Sequence, residues 1–437
     1  MKQHAQSFFL KRFFKLLVEN NEKYCVLRNH EDLPNSLSGS DLDIAVLPGR
    51  GETVINLATK AAKDCGGFPI ISYVGSLHIV RFLGKNTDSI WGVALDVFED
   101  ISYKGISYLN AQKLIENRFD YNGICVANSN DSLSLALLKE LLSNGKDRKG
   151  YLASVIERKK EDEKIFGFLD EPIAVLLNEL CSEDRATSEI HACSVSLRKA
   201  VLRGNGLKGI SKRGKNLYYR LKRVFRPAGF SIGFLGTDGS GKTTLINELT
   251  PLIEEAIHGS VHYEHMRPNW LSSLGATVAN KKVIENKVNA DPHGAKESNF
   301  VSSIIRLAYY SIDYTIGYWV KIYPKLVTKP VVFIFDRYYY DFIYDPKRMK
   351  ISLPKWILKG AFIMAPKPNI IFCLTGDPQV IFNRKPETNL AVVTAHVSYL
   401  DELSKKSSFS RIDTSKSLED SIDSSLKAFE QIISNRK

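Results

Sequence analysis

The segment FSIGFLGTDGSGKTTLINEL, residues 230–249, places glycines, a lysine and hydroxyls between an apolar run and a helical pattern. Gly236, Gly239 and Gly241 allow the backbone to wrap an anion with its N–H groups. In such a loop Lys242 reaches the β- and γ-phosphates of a nucleotide, and the Thr243 hydroxyl ligates Mg²⁺. We therefore predict an ATP phosphate-binding site. Its residues are Gly236, Asp238, Gly239, Ser240, Gly241, Lys242, Thr243 and Thr244.

Two later apolar runs supply further charged groups. Residues 330–335 lead to Asp336, and a carboxylate at the tip of a buried strand is where P-loop proteins hold magnesium. We predict that Asp336 and Thr243 hold Mg²⁺ together. Residues 369–374 lead to a helix with Arg384, which we predict neutralises charge on the transferred phosphoryl group. The alternative for Arg384 is a solvated surface charge.

Charged residues between these runs are candidates for holding the acceptor. If the acceptor is a phosphate, no general base is needed, whereas a sugar hydroxyl requires a carboxylate to take its proton. The sequence leaves Asp336, Asp341 and Asp313 open as that base. The candidate acceptor-binding residues are Arg267, His293, Arg306, Asp313 and Arg348.

The motifs GTDGSGKTT and DRYYYD together resemble the thymidylate kinase family of nucleoside monophosphate kinases. The resemblance covers roughly residues 230–437 and implies that Asp336 serves the metal site and Arg337 holds the acceptor phosphate. The lid is reduced to NRKPETNLAV. This lid, the residues after DRY and a PHG near 292 are similar to thymidylate-kinase-like proteins associated with surface polysaccharide synthesis. The predicted catalytic residues are Lys242, Asp336, Arg337 and Arg384.

A second acidic group lies near the start of the chain. Asp41 and Asp43 stand two apart in SGSDLDIAVLP, and Asp96 lies in the apolar run WGVALDVFED. Alternation along a strand turns Asp41 and Asp43 to one face. Two such carboxylates and a third from a neighbouring strand bind two Mg²⁺ ions about 4 Å apart. We predict that Asp41, Asp43 and Asp96 are metal ligands; the alternative is an incidental surface DxD.

GSDLDIAV and the later apolar run around Asp96 resemble the nucleotidyltransferase superfamily over roughly residues 20–160. The family's Gly–Ser pair is replaced here by Arg28 and Asn29. Arg28 therefore meets phosphate, or the domain binds a substrate without transferring nucleotides. Lys139 and Lys146 occupy positions where such enzymes place triphosphate-contacting bases, and solvated helix charge is the alternative.

The fold class follows from how the apolar runs are ordered. From residue 229 onward strand and helix patterns alternate, which predicts an α/β parallel sheet with flanking helices. Before that we expect an α+β domain with a helical extension, whose opening helix has one apolar face at Phe9, Phe13, Leu16 and Leu17. The predicted divisions are a nucleotidyltransferase-like domain at 1–125, a helical extension at 126–197, a basic linker at 198–228 and a thymidylate-kinase-like domain at 229–437.

The predicted linker concentrates positive charge. The chain of 437 residues has a net charge of +12, and residues 190–237 contain eleven Lys or Arg and no Asp or Glu. The stretch indicates a linker with a short basic helix. It is a solvated segment, a surface for anionic membranes, or a contact for nucleic acid, and the last is disfavoured because no nucleic-acid motif accompanies it. The candidate apolar face is Leu217, Tyr218, Leu221, Val224 and Phe225.

The bulk composition fits a globular enzyme. With 44% hydrophobic and 25% charged residues, scattered cysteines and no apolar run long enough to span a bilayer, the chain is expected to be cytoplasmic. We predict an ATP- and Mg²⁺-dependent phosphotransferase acting on a small acceptor, with nucleotidyl transfer as a second activity in polysaccharide synthesis. The alternatives are a thymidylate kinase with a non-catalytic N-terminal domain and a nucleotide-binding regulator acting through the basic linker. The oligomeric state is left open.

Overall fold

The computed structural model of the protein describes residues 2–37, 39–75, 77–86, 89–181, 187–203, 206–258, 261–271, 299–386 and 388–434. The chain divides into two units, Met1–Phe225 and Arg226–Lys437. Each has its own sheet and its own buried apolar side chains.

A mixed seven-stranded sheet forms the centre of the N-terminal unit, with the strand order β3-β4-β5-β2-β1-β9-β8. The β2–β5 and β1–β9 pairs are parallel, and the other neighbours are antiparallel. A separate hairpin joins β6 and β7. The strands are β1 Tyr24–Val26, β2 Leu42–Val46, β3 Gly67–Tyr73, β4 His78–Lys85, β5 Ile90–Phe98, β6 Asp100–Tyr103, β7 Ile106–Asn110, β8 Phe119–Tyr121 and β9 Ile124–Val126.

Helices cover both faces of this sheet. The opening helix buries Phe9, Phe13, Leu16 and Leu17, which confirms the predicted apolar face, and the Phe9 ring packs 5.4 Å from that of Trp91. A second apolar core lies under the later helices. The helices are Lys2–Glu19, Gly51–Asp64, Ala111–Glu116, Ser129–Asn144, Tyr151–Glu161, Glu171–Leu180, Thr187–Arg203 and Gly206–Phe225.

The stretch predicted as a linker with a short helix is more regular than expected. Residues 198–203 complete the helix Thr187–Arg203, and Gly206–Phe225 is a helix of 20 residues. Lys, Arg and Leu are strong helix formers, so they outweigh the cost of about 1 kcal/mol for each internal glycine. Pro227 follows and disfavours helical backbone at the residue before it.

The C-terminal unit is built on a five-stranded sheet with the order β11-β12-β10-β13-β14, and every neighbouring pair is parallel. The predicted parallel sheet with flanking helices is confirmed. The strands are β10 Phe230–Gly236, β11 Val261–His265, β12 Val332–Asp336, β13 Ile370–Thr375 and β14 Phe409–Asp413.

The flanking helices connect these strands as parallel pairing requires. One of them continues as a π-helix, Asp313–Ile322. No helix in the described ranges of the chain is long and apolar enough to cross a membrane. The α-helices are Lys242–Ile257, Phe300–Ile312, Tyr323–Thr328, Asp341–Tyr344, Lys355–Ala361, Pro378–Arg384, Leu390–Ser404 and Leu418–Ser434.

Candidate active site

The predicted phosphate loop connects the central strand β10 to the helix Lys242–Ile257. Gly239 and Gly241 both have φ +79°, a conformation that side chains rarely adopt. A Cβ on Gly239 would also lie 2.6 Å from the carbonyl oxygen of Ile381. The backbone geometry therefore requires glycine at both positions. The loop leads directly into the N-terminus of a helix, where backbone N–H groups favour the binding of anions.

Lys242 is folded back on the loop. It is 7% exposed, and its Nζ donates to the carbonyl oxygens of Gly236 and Thr237, both at 2.8 Å. Burial, together with the positive charge of Arg337, lowers the pKa of Lys242 to about 7. A phosphate at the loop would supply the negative charge that this buried amine lacks.

Several polar atoms at the loop are buried without a hydrogen-bond partner among the described residues. They are Thr237 Oγ1, Ser240 Oγ and Asp336 Oδ1. Buried polar atoms are nearly always hydrogen-bonded, so an orphaned set in one place indicates that a ligand completes it. The residues present therefore fit a phosphate-bearing ligand.

Asp336 ends β12, beside the loop strand, and its Cα pairs in register with that of Phe234. Its Oδ2 accepts a hydrogen bond from the Tyr263 hydroxyl at 2.8 Å. Burial opposes its ionisation, but the His265 imidazole, the Lys242 charge and the Tyr263 hydroxyl outweigh burial and lower the pKa of Asp336 to about 2. Asp336 is therefore a carboxylate at neutral pH, as a magnesium ligand must be.

Within the described residues, no group of three His, Cys, Asp or Glu side chains is placed to hold a metal alone. Magnesium usually takes one or two carboxylates and completes its shell with substrate phosphates and water. Asp336 fits that limited role, and Thr243 is an exposed residue at the start of the loop helix.

Arg337 is buried and contacts residues of the loop. It is 3% exposed and has φ +75°, and its guanidinium contacts Asp238 and Asp341, each at 2.6 Å. Its Nη1 also lies 3.3 Å from the carbonyl oxygen of Gly236. The resemblance implies that Arg337 holds the acceptor phosphate. The described contacts instead fit a residue that positions the loop.

Asp238 is the centre of this ion-pair group, a role for which no local sequence pattern provides a signal. It accepts from Arg337 with one oxygen and from Arg348 with the other. Burial opposes its ionisation, but the charges of Arg337, Lys242 and Arg348 hold its pKa well below the usual range. Arg348, a predicted acceptor-binding residue, is therefore tied to the loop as well.

On the acceptor side, the described residues form a second buried ion pair. Asp313 is fully buried, and its Oδ2 lies 2.8 Å from Nη1 of Arg267. Its Oδ1 accepts the backbone N–H groups of Trp270 and Leu271, each at 2.9 Å. Asp313 thus fixes the segment that follows β11, and Arg267 remains beside it.

The remaining predicted acceptor-binding residues are Arg306 and His293. The Arg267 guanidinium lies 5.9 Å from the ring centre of Tyr309 and 5.8 Å from that of Tyr310. Arg306 is half-buried on the helix Phe300–Ile312, which also carries these two tyrosines. These groups form a cationic and aromatic patch. His293 lies outside the described residues.

Arg384 ends a helix that reaches the loop. It is exposed, while the preceding turn and the following residue approach the loop closely. A Cβ on Gly239 would lie 3.2 Å from Cβ of Lys385. The structure therefore brings the end of this helix to the loop and leaves the Arg384 side chain in solvent.

In the N-terminal unit, Asp43 and Asp96 are register partners on the parallel strands β2 and β5. Each is paired with an arginine: Arg28 Nε lies 2.5 Å from Asp43, and Arg81 Nη1 lies 2.7 Å from Asp96. Asp41 precedes β2. Both strand carboxylates are already neutralised, so the arrangement does not fit the predicted pair of magnesium ions.

A cavity of about 240 Å³ opens beside these ion pairs. Burial, reinforced by the nearby Asp96, raises the pKa of Asp43 despite the opposing charges of Arg28 and Lys139. The Lys139 amine lies 6.0 Å from the ring centre of Phe98, whereas Lys146 is exposed and outside the lining. The lining is mainly apolar and includes Leu27, Ile101, Tyr103, Tyr108, Leu135 and Leu142.

Comparison with protein-family models found no family that matches this chain, and comparison with curated proteins found no match either. Function is therefore inferred from the geometry of the two sites.

Proposed function

We propose that the C-terminal unit is an ATP-dependent phosphotransferase that delivers a γ-phosphoryl group to a small acceptor. The observation that carries the proposal is the placement of Asp336 and the Lys242 loop at the carboxyl ends of two paired parallel strands. Ligands of open parallel sheets bind at that edge. The orphaned buried oxygens of Thr237, Ser240 and Asp336 support a phosphate and metal ligand there.

In this proposal the loop N–H groups and Lys242 bind the β- and γ-phosphates. Asp336 and Thr243 hold magnesium, which neutralises charge on the phosphates when bound. The Arg337–Asp238–Arg348 group keeps the loop in its binding conformation. Phosphoryl transfer relies mainly on such positioning and on charge stabilisation.

The structure favours an acceptor that carries its own phosphate. A hydroxyl acceptor needs a general base. Asp313 and Asp341 are fully buried and paired with Arg267 and Arg337. Asp336 is the proposed metal ligand. A phosphate acceptor needs no base, and the half-buried Arg306, on the helix that also carries Tyr309 and Tyr310, is a cation suited to it.

The test is a screen with ATP labelled on its γ-phosphate. Nucleoside monophosphates, including thymidylate, and sugar phosphates form one set of acceptors, and unphosphorylated sugars form the other. We expect transfer to a member of the first set, and none by the Lys242→Met variant. Transfer only to unphosphorylated sugars would overturn the phosphate acceptor, and activity of Lys242→Met would overturn the site itself.

For the N-terminal unit we propose ligand binding without a metal. The observation behind it is that Asp43 and Asp96 are each matched by an arginine beside an apolar cavity. Among the described contacts of Arg28, the hydrogen bond to Asp43 comes from its Nε–H. Its two terminal nitrogens can therefore bind an anionic group. The ligand class is a small anion with an apolar or ring portion.

Two measurements separate this proposal from nucleotidyl transfer. Thermal stabilisation by nucleotides and sugar phosphates in excess EDTA should be present and should decrease in Arg28→Met. Pyrophosphate release from nucleoside triphosphates should be absent. Magnesium-dependent release that disappears in Asp43→Asn would establish the transferase instead.

A further inference from the structure

The basic helix Gly206–Phe225 carries a row of exposed apolar side chains near its C-terminal end. Leu217 is 58% exposed, Tyr218 60% and Leu221 55%, and Val224 and Phe225 reach 44% and 84%. At about 100° per residue, these five positions fall within one arc of about 120°. They are therefore a continuous apolar stripe and not scattered exposed residues.

Positive charges border the stripe on both sides. Arg220 lies about 40° beyond one edge of the arc and Lys222 about 40° beyond the other, again from the helical repeat. Both residues are exposed. Residues 190–237 contain no Asp or Glu, so no acidic residue of this stretch offsets the field around the stripe.

The opposite side of the helix is attached to the N-terminal unit. Asn216 donates to the carbonyl oxygen of Lys104 at 3.2 Å, and the Arg223 guanidinium stacks 3.8 Å above the Tyr73 ring. These two positions are only about 20° apart around the helix. The attachment fixes the rotation of the helix and turns the stripe outward.

We infer that the basic helix is a docking surface for an anionic lipid bilayer, lying in the plane of the membrane surface. The apolar stripe enters the boundary between headgroups and acyl chains, while Arg220 and Lys222 meet lipid phosphates at its edges. Nucleic acid would use the cations but would leave the exposed Leu221 and Phe225 in water. An apolar stripe flanked by cations distinguishes a surface that binds lipid from one that binds nucleic acid. The inference does not depend on the proposed phosphotransferase activity.

The test is sedimentation of the full chain with vesicles. We expect binding to vesicles that contain phosphatidylglycerol, and weaker binding to phosphatidylcholine alone or at high salt. Leu221→Glu and Phe225→Glu should each reduce binding at least about tenfold, because each removes an inserted apolar group. Val175→Glu is the matched control, since Val175 is 47% exposed on another helix of the same unit. Its binding should equal that of the unaltered chain.

Arg220→Glu with Lys222→Glu should abolish the preference for anionic lipid. Melting temperatures of all variants should stay unchanged, because the substituted side chains are exposed. Equal vesicle binding by Leu221→Glu and the unaltered chain would overturn the inference. So would a lack of vesicle binding, or binding to DNA or RNA that is lost in the charge reversals and kept in Phe225→Glu.

Discussion

Arg337 is joined to Asp238 of the phosphate loop, with Nη2 2.6 Å from Oδ1. The residue after the proposed metal ligand Asp336 thus holds the loop, and it also binds the fully buried Asp341. One guanidinium therefore links the loop to the end of β12 and to the helix that follows it.

Replacing that guanidinium should cost stability. Arg337→Met leaves the fully buried Asp341 without its arginine, while the half-buried Asp238 keeps Arg348 as a partner. Breaking a buried pair in this way costs about 3–5 kcal/mol. Urea unfolding measures the loss. Arg384→Met is the control, because Arg384 is exposed and should change stability by less than about 0.5 kcal/mol. A stable Arg337→Met protein with a raised KM for the acceptor would instead support the role implied by the thymidylate kinase resemblance.

Lys242→Met should abolish phosphoryl transfer without lowering the melting temperature. The variant loses the hydrogen bonds that Nζ donates to the carbonyl oxygens of Gly236 and Thr237. That loss is offset because methionine fills a similar volume and has no amine to desolvate. Differential scanning calorimetry and the labelled-ATP assay measure the two effects. Lys427→Met, on an exposed helix position, is the matched control and should keep full activity. A large drop in melting temperature for Lys242→Met would show that the amine supports the fold.

ATP binding should take up protons at pH 8. The pKa of Lys242 without a ligand is about 7, so at pH 8 the amine is mostly neutral. Phosphates favour the ammonium form and raise this pKa, so binding adds up to about one proton and affinity falls as the pH rises above about 7. Calorimetry in two buffers of different ionisation enthalpy measures the uptake. Lys242→Met should show none, and zero uptake by the unaltered chain would contradict the prediction.

The strand–loop–helix unit around Gly239 and Gly241, the end of β12 at Asp336 and the parallel sheet could be predicted from the sequence, because local patterns specify them. Glycines at 239 and 241 mark positive φ, and β12 ends at the predicted Asp336. Periodicity also located the apolar face of the opening helix. These features depend on neighbours along the chain.

The ion pairs could not be predicted, because they depend on contacts between distant segments. Arg81 reaches Asp96 across the antiparallel β4–β5 pair, where its own register partner is Ala94. No local signal gives that register. The direction of Arg337 likewise depends on Asp238, which lies 99 residues earlier in the chain. As a result, the predicted metal ligands Asp43 and Asp96 proved to be paired with arginines.

The Arg81–Asp96 pair provides the sharpest test of the N-terminal unit. Arg81→Met should destabilise the protein by about 3–5 kcal/mol, because Asp96 would lose its arginine partner in a mostly buried site. Arg81→Met combined with Asp96→Leu should recover part of that loss, since replacing both members of a buried pair is often nearly neutral. Urea unfolding of the two single variants and the double variant gives the coupling free energy. Additive losses would show that the pair is not the unit of stabilisation. Stabilisation of the unaltered chain by Mg²⁺ that disappears in Asp43→Asn would show that the carboxylates bind metal despite their arginines.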